Sequence, residues 1–203
     1  MRIRFMTHTK VFFQQQFRPV ADRLADAGVS ANQVTITAGL LPCVAGAAII
    51  AAPSAQWPLL LIPLVLLVRL PCNHIDGILA REHGMATPLG AILNDLLDVA
   101  SDVMLYLPLA LVPGVRAELL IPAVVLGVLS EMAGVLGQAN GAERRHDGPL
   151  WKFPRGVAYG AIALALGLGA APGLWLDALL VSLLFLSALT IARRVQGALG
   201  QLE

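Results

Sequence analysis

"NHIDGILAREHGMATPLGAILNDLLD" occupies residues 73–98, and its reading decides the fold. It holds the acids Asp76, Glu82, Asp95 and Asp98 and the amides Asn73 and Asn94, with Asp102 just beyond. On one side lies "LLLIPLVLLVRLPC" (59–72) and on the other "VASDVMLYLPLALV" (99–112). Both flanks are apolar enough for a lipid bilayer. A carboxylate at the centre of a membrane helix costs about 3 kcal/mol or more unless it is paired, hydrated or bound to a cation. Acids placed here therefore need a compensating task.

The rest of the chain agrees with a membrane setting. Of 203 residues, 57% are hydrophobic and 13% charged, roughly half the charged share of an ordinary soluble domain. The apolar residues fall in long runs rather than amphipathic stripes. Six segments, near 33–52, 57–80, 88–113, 117–138, 154–171 and 173–192, approach the ~20 residues needed to cross ~30 Å of hydrocarbon. Pro53, Pro58, Pro88, Pro113 and Pro172 lie near their boundaries. The expected fold is an all-α polytopic membrane protein with six transmembrane helices (residues 31–203) after a juxtamembrane segment (1–30). Residues 11–27 read as an amphipathic surface helix ended by Gly28, with Ser30 and Asn32 as candidates to cap the next helix. The N-terminus has no long apolar core or small-residue cleavage site, so it does not read as a signal peptide.

Basic residues set the expected orientation. Arg2, Arg4, Lys10, Arg18 and Arg23 precede the first span, Arg81 follows the second, and Arg144, Arg145, Lys152 and Arg155 sit between the fourth and fifth. Arg193 and Arg194 follow the sixth, and the alternate connections hold only Arg116. The positive-inside rule then places both termini and the acid cluster on the cytoplasmic side of the membrane. The net charge of +1 by itself says nothing about an acidic partner, and no nucleic-acid partner is expected. Cys43 and Cys72 lie in apolar runs and read as free thiols.

Helical spacing puts Asn94, Asp98 and Asp102 on one face, and Asn73 and Asp76 on one face of the preceding helix. Carboxylate and amide oxygens presented by two helices suit a hard divalent cation. Gly77 and Ala80 leave notches for a ligand, and Arg81 adds a fixed positive charge suited to phosphate. The plainer alternative is that these acids only tie helices together, with Arg69 as a partner.

Asn73, Asp76, Gly77, Ala80, Arg81, Gly90, Asn94 and Asp98 resemble the CDP-alcohol phosphotransferase signature D-x2-D-G-x2-A-R-x8-G-x3-D-x3-D. Register holds without a gap, and the two departures are both Asp to Asn. "GVSANQVTITAGL" resembles that family's Pro-Asn-x-x-Thr opening, with Ala31 in place of Pro. The resemblance covers roughly residues 28–195. It implies transfer of a substituted phosphate, commonly phosphatidyl, from a CDP-alcohol such as CDP-diacylglycerol to an acceptor alcohol, with release of CMP, in phospholipid biosynthesis. It implies Mg²⁺ or Mn²⁺ held by Asp76, Asp98, Asn73 and Asn94, with Asp98 as the general base. Nucleotide contacts would come from Asp76, Gly77, Ala80, Arg81 and Gly90, and from Asn32 and Thr35. Arg144, Arg145, Lys152 and Arg155 would face the acceptor or its phosphate; their plainer reading is a basic loop at lipid headgroups.

An Asn oxygen can ligate a metal but brings no charge. Three readings follow. The site holds one tight metal and a second that arrives with the pyrophosphate. Alternatively, Asp95, Asp102 or Glu131 supplies the missing charge. In the third, catalysis is lost and the protein is a silent nucleotide- or lipid-binding protein. Glu131 also reads as an ion-pair partner of Arg69. Gly127, Gly134, Gly137 and Gly141 permit close helix approach and hence a homodimer. A small transporter is a further reading, weakened by the lack of an inverted repeat. His74 and His83 form no zinc-like pair.

Overall fold

Seven α-helices and two short 3₁₀ turns make up the regular structure in the computed structural model, which describes residues 16–202. Helix α1 runs over residues 16–26. It is followed by α2 (Ala31–Ala51), a 3₁₀ turn (Trp57–Leu60), α3 (Leu61–Glu82), α4 (Pro88–Tyr106) and a second 3₁₀ turn (Leu107–Leu111). Then come α5 (Ala117–Ala139), α6 (Lys152–Gly167) and α7 (Leu174–Leu202). By length and composition, four segments can cross a membrane: Ala31–Ala51, Trp57–Glu82, Ala117–Ala139 and Leu174–Leu202. The other two expected spans are shorter or more charged. Helix α4 carries three acids, and α6 has 16 residues, about 24 Å at ~1.5 Å each.

Local chemistry explains the boundaries. Gly28 takes a positive φ of 77° after α1, which glycine adopts without strain. Ser30 and Gln33 then form a reciprocal capping box: Gln33 N–H donates to Ser30 Oγ at 3.3 Å, and Ser30 N–H donates to Gln33 Oε1 at 2.8 Å. Ser30, rather than Asn32, therefore caps α2. Helix α4 starts with Thr87 Oγ1 accepting from Gly90 N–H at 2.9 Å and Pro88 in the first turn. It gives way to the 3₁₀ turn at Leu107, the residue before Pro108, where the α conformation is disfavoured. The third span read to residue 113 therefore ends as α-helix at Tyr106. Helix α6 ends before Gly169, at φ 95°, short of the expected 171. Pro42, Pro71 and Pro122 sit inside helices.

The burial pattern is that of a membrane protein. Large apolar side chains such as Leu40, Val44, Leu67 and Phe185 point outward, while Arg69, Asp76, Asp102, Arg155 and Arg194 are buried. A soluble domain does the reverse.

The chain forms two compact units, residues 16–42 with 64–101 and residues 43–63 with 102–202. In the first, Ile75, Ile78 and Leu79 of α3 pack with Ala21 of α1 and Ala31 of α2, and Phe17, Leu24 and Met85 close around them. Arg18 Nε donates to Glu82 at 2.8 Å, and His83 pairs with Asp22 at 3.0 Å. Helix α1 thus packs on α3, with Val20 exposed beside it. The expected surface helix over 11–27 included Phe12 and Phe13, which lie outside the described residues.

In the second unit α5 packs on α7 through small residues. A Cβ on Gly137 would lie 3.0 Å from the Ala198 Cβ, and one on Gly134 would lie 2.5 Å from the Arg145 carbonyl oxygen. Gly127 faces the Arg155 side chain. The glycines that permit a homodimer in the sequence are therefore used within the chain, Gly141 excepted. The tightest approach is at Gly46, where a Cβ would stand 2.1 Å from the Met104 carbonyl oxygen. Gly46→Ala forces α2 away from that carbonyl. We expect a loss of about 1–3 kcal/mol, read as a lower midpoint of thermal unfolding in detergent. An unchanged midpoint would show that the contact has room to spare.

Candidate functional site

Three helices of the first unit are joined pairwise by the residues that the sequence singled out. Thr35 Oγ1 on α2 donates to Asp76 Oδ2 on α3 at 2.9 Å, and also to the Ala31 carbonyl at 3.1 Å. Asn32 on α2 lies against Gly90 on α4, where a Cβ would meet the Asn32 Oδ1 at 2.4 Å. Only glycine allows that approach. Arg69 Nη2 on α3 donates to Asp98 Oδ1 on α4 at 3.2 Å. Gly39 of α2 packs against Leu97 of α4.

Asp76 and Arg69 are buried, whereas Asn73, Asn94, Asp95 and Asp98 are half-buried. Arg81 is exposed, and its guanidinium folds back over Gly77, where a Cβ would be 2.7 Å from Nη2. The notch at Gly77 is thus the seat of a cation one turn away on the same helix.

Among the described residues, no three His, Cys, Asp or Glu side chains gather as a metal cluster. Two of the four oxygen-bearing side chains, Asn73 and Asn94, are amides. Two carboxylates and two amide carbonyls still make an all-oxygen donor set, which fits one hard cation such as Mg²⁺ or Mn²⁺.

A separate charge network is buried in the second unit. Arg155 Nη2 reaches Asp102 Oδ2 at 2.9 Å and Glu131 Oε1 at 3.2 Å, and Arg155 Nη1 donates to Ser130 Oγ at 3.2 Å. Arg194 pairs with Glu131 Oε2 at 3.4 Å, donates to the Ser130 carbonyl, and gives its Nε to the Asp147 carbonyl at 2.9 Å. Glu131 on α5 faces Arg155 of α6 and Arg194 of α7, and Arg69 is held by Asp98. Sequence reading also missed Arg194, which it took for a flanking cytoplasmic cation after a span ending at 192. Helix α7 continues to Leu202, and Arg194 is 1% exposed. The signal was its spacing of four and seven residues from the buried Thr190 and Ser187.

The connection from α5 to α6 is pinned to α7. Leu150 N–H donates to Thr190 Oγ1 at 3.0 Å, and Glu143 N–H donates to Gln201 Oε1 at 2.8 Å. Arg145 forks onto Asp147 with bonds of 2.9 and 2.8 Å and lies over Gly197. This fork holds the Asp147 carboxyl below the usual carboxylate range. Arg145 and Arg155, both read for the acceptor, are therefore in ion pairs. Arg144 and Lys152 are half-buried in the same region. Cys43 and Cys72 form no disulfide, as the sequence suggested.

Comparison with known proteins places this architecture. Residues 28–194 match the family described as CDP-alcohol phosphatidyltransferase. The chain belongs to that family. It is similar to inner membrane protein YnbA of Escherichia coli (strain K12), with 39% identity over 160 residues covering 78% of this chain and 79% of YnbA. Among solved structures it shares the fold of Mycobacterium tuberculosis phosphatidylinositol phosphate synthase (PgsA1), at 20% identity and a TM-score of 0.74. The structure of that enzyme with manganese and citrate is matched over 90% of this chain and 88% of its own. The structure with CDP-DAG bound is matched over 90% and 92%. This chain is thus an all-helical integral membrane protein of the CDP-alcohol phosphatidyltransferase family.

Proposed function

We propose that this protein moves a phosphatidyl or other substituted phosphate group from a CDP-alcohol, such as CDP-diacylglycerol, to an acceptor alcohol and releases CMP. The observation that carries this reading is the closure of α2, α3 and α4 through Thr35–Asp76, Asn32–Gly90 and Arg69–Asp98. A residue of the expected signature, Asp76, Gly90 or Asp98, takes part in each of these contacts, which supports the reading.

In this reading Asn73 and Asn94 stand at the first and third acid positions. Asp76 and Asp98, with the amide oxygens of Asn73 and Asn94, would hold Mg²⁺ or Mn²⁺, which when bound offsets the charge of the pyrophosphate. Thr35 fixes the Asp76 carboxylate. Gly77, Ala80 and Gly90 let the nucleotide approach the helices, with Asn32 beside Gly90. Arg81 meets a phosphate. Asp98 takes the proton of the acceptor hydroxyl. Arg144, Arg145, Lys152 and Arg155 serve the acceptor or its phosphate, with Arg145 and Arg155 acting as members of ion pairs. Asp95 supports the site. The domain spans 31–203 with six membrane helices, and both termini and the site are cytoplasmic; a terminal reporter found across the membrane would overturn that orientation.

The test is CMP release by purified protein with Mn²⁺, CDP-diacylglycerol and a panel of alcohols. Acceptor-dependent release supports the transferase. The Arg69–Asp98 pair favours one rival, a silent binding protein, because it engages the proposed base. Tight CDP-diacylglycerol binding with no CMP from any alcohol would establish that rival instead.

Gly77→Ala probes the nucleotide contact alone. The added methyl displaces the far end of Arg81, a flexible side chain, so the fold should survive. Loss of a charged hydrogen bond to phosphate should weaken CDP binding about tenfold or more. Unchanged affinity would remove Arg81 from the phosphate.

A further inference from the structure

We propose that Arg69 stands in place of a second divalent cation, so that the site between α3 and α4 takes one metal ion. This rests on Asp76 and Asp98 being metal ligands, as proposed above.

Three observations lead there. Arg69 is 5% exposed on α3, one turn before Asn73, and its Nη2 is 3.2 Å from Asp98 Oδ1. A guanidinium is charged at every accessible pH, so this positive charge is permanent. The second is the local charge. Asp76, Asp95, Asp98 and Arg69 together carry two net negative charges. One divalent cation neutralises them, and a second would leave two positive charges. Close like charges repel far more strongly in a low-dielectric site than in water, so the second ion meets a steep penalty. The third is the use of carboxylate oxygens. Asp76 Oδ2 already accepts from Thr35, and Asp98 Oδ1 already accepts from Arg69. A carboxylate that bridges two cations commits both of its oxygens to metal.

Arg69 is thus a positioning residue. It orients the Asp98 carboxylate and supplies positive charge that a second ion would otherwise bring. The two amides fit the same arrangement, because two further carboxylates would restore the charge that draws in a second ion.

The experiment is Mn²⁺ titration of the purified full chain by calorimetry, with and without CDP, for the natural protein, Arg69→Lys and Arg69→Gln. The natural protein should bind one Mn²⁺ per chain in the presence of CDP. Arg69→Lys keeps the charge and should also bind one. Arg69→Gln should bind the first Mn²⁺ about tenfold more tightly or more and admit a second when CDP is present. A purely structural arginine predicts the opposite, since its loss would weaken metal binding or leave it unchanged. Two Mn²⁺ bound by the natural protein overturn the proposal whatever the variants do, and leave the transferase reading intact. So does an Arg69→Gln protein that is folded but binds no more metal than the natural one. Absence of Mn²⁺ binding in all three proteins overturns this proposal and the assignment of the metal ligands together.

Discussion

Asp98→Asn should lower the proposed release of CMP from CDP-diacylglycerol by at least about a hundredfold, the usual range for removal of a general base. The amide keeps an oxygen to accept from Arg69 at the position now 3.2 Å away, so the helix contact survives while the proton acceptor is lost. Asp98→Ala is the harsher test. It removes the partner of a buried guanidinium and should lower stability as well. Asp76→Ala should match the loss in turnover for a different reason. Thr35 then has no carboxylate to orient, and the proposed metal site loses one of its two carboxylates. Full turnover by Asp98→Asn, with the protein folded, would remove Asp98 from the chemistry. Normal nucleotide binding by both alanine variants would reduce the signature to a structural element.

The second large effect is on stability. Arg155→Leu should cost about 3–5 kcal/mol, the range for removing one partner of a buried ion pair. The side chains of Arg155, Asp102 and Glu131 are 4%, 11% and 16% exposed. Without the guanidinium, Asp102 loses its 2.9 Å partner and Glu131 keeps only Arg194 at 3.4 Å. Leucine replaces much of the volume, so the loss reports stranded charge rather than a cavity. Denaturant unfolding in detergent measures it. The double change Arg155→Leu with Asp102→Asn should lose clearly less than the sum of the single changes, because the two residues interact directly. Simple additivity would show that the pair contributes no coupling.

Much of this architecture was legible in the sequence, for physical reasons that can be named. Long apolar runs mark membrane helices because hydrocarbon leaves backbone groups no other partner. The start of α2 followed from Ser30 and that of α4 from Pro88, whereas the Thr87 cap was not read. The family resemblance followed from side-chain types at fixed spacing from Asn73 to Asp98. Residues that act through tertiary contact were not legible. Arg194 looked like a flanking cation because its partners, Glu131 and Ser130, lie on another helix more than sixty positions away. Arg69 reads in the sequence as a partner either of the acids of α3 and α4 or of Glu131, and which acid it meets depends on helix rotation that no single-helix pattern contains. The proline markers misled in part. Pro108 ended a helix that the sequence carried on to 113, whereas Pro42, Pro71 and Pro122 are accommodated inside helices.

The buried quartet of Asp102, Glu131, Arg155 and Arg194 has a consequence for descent. Each cation is answered by an acid, and no member is more than a sixth exposed. A lineage that drops one of these charges leaves another stranded out of reach of water, at a cost most proteins cannot absorb. Neutral drift at these four positions therefore has to proceed by paired exchange, an acid leaving with its cation. Inheritance will treat the quartet as one character, retained whole or replaced whole, while the lipid-facing residues around it vary one at a time.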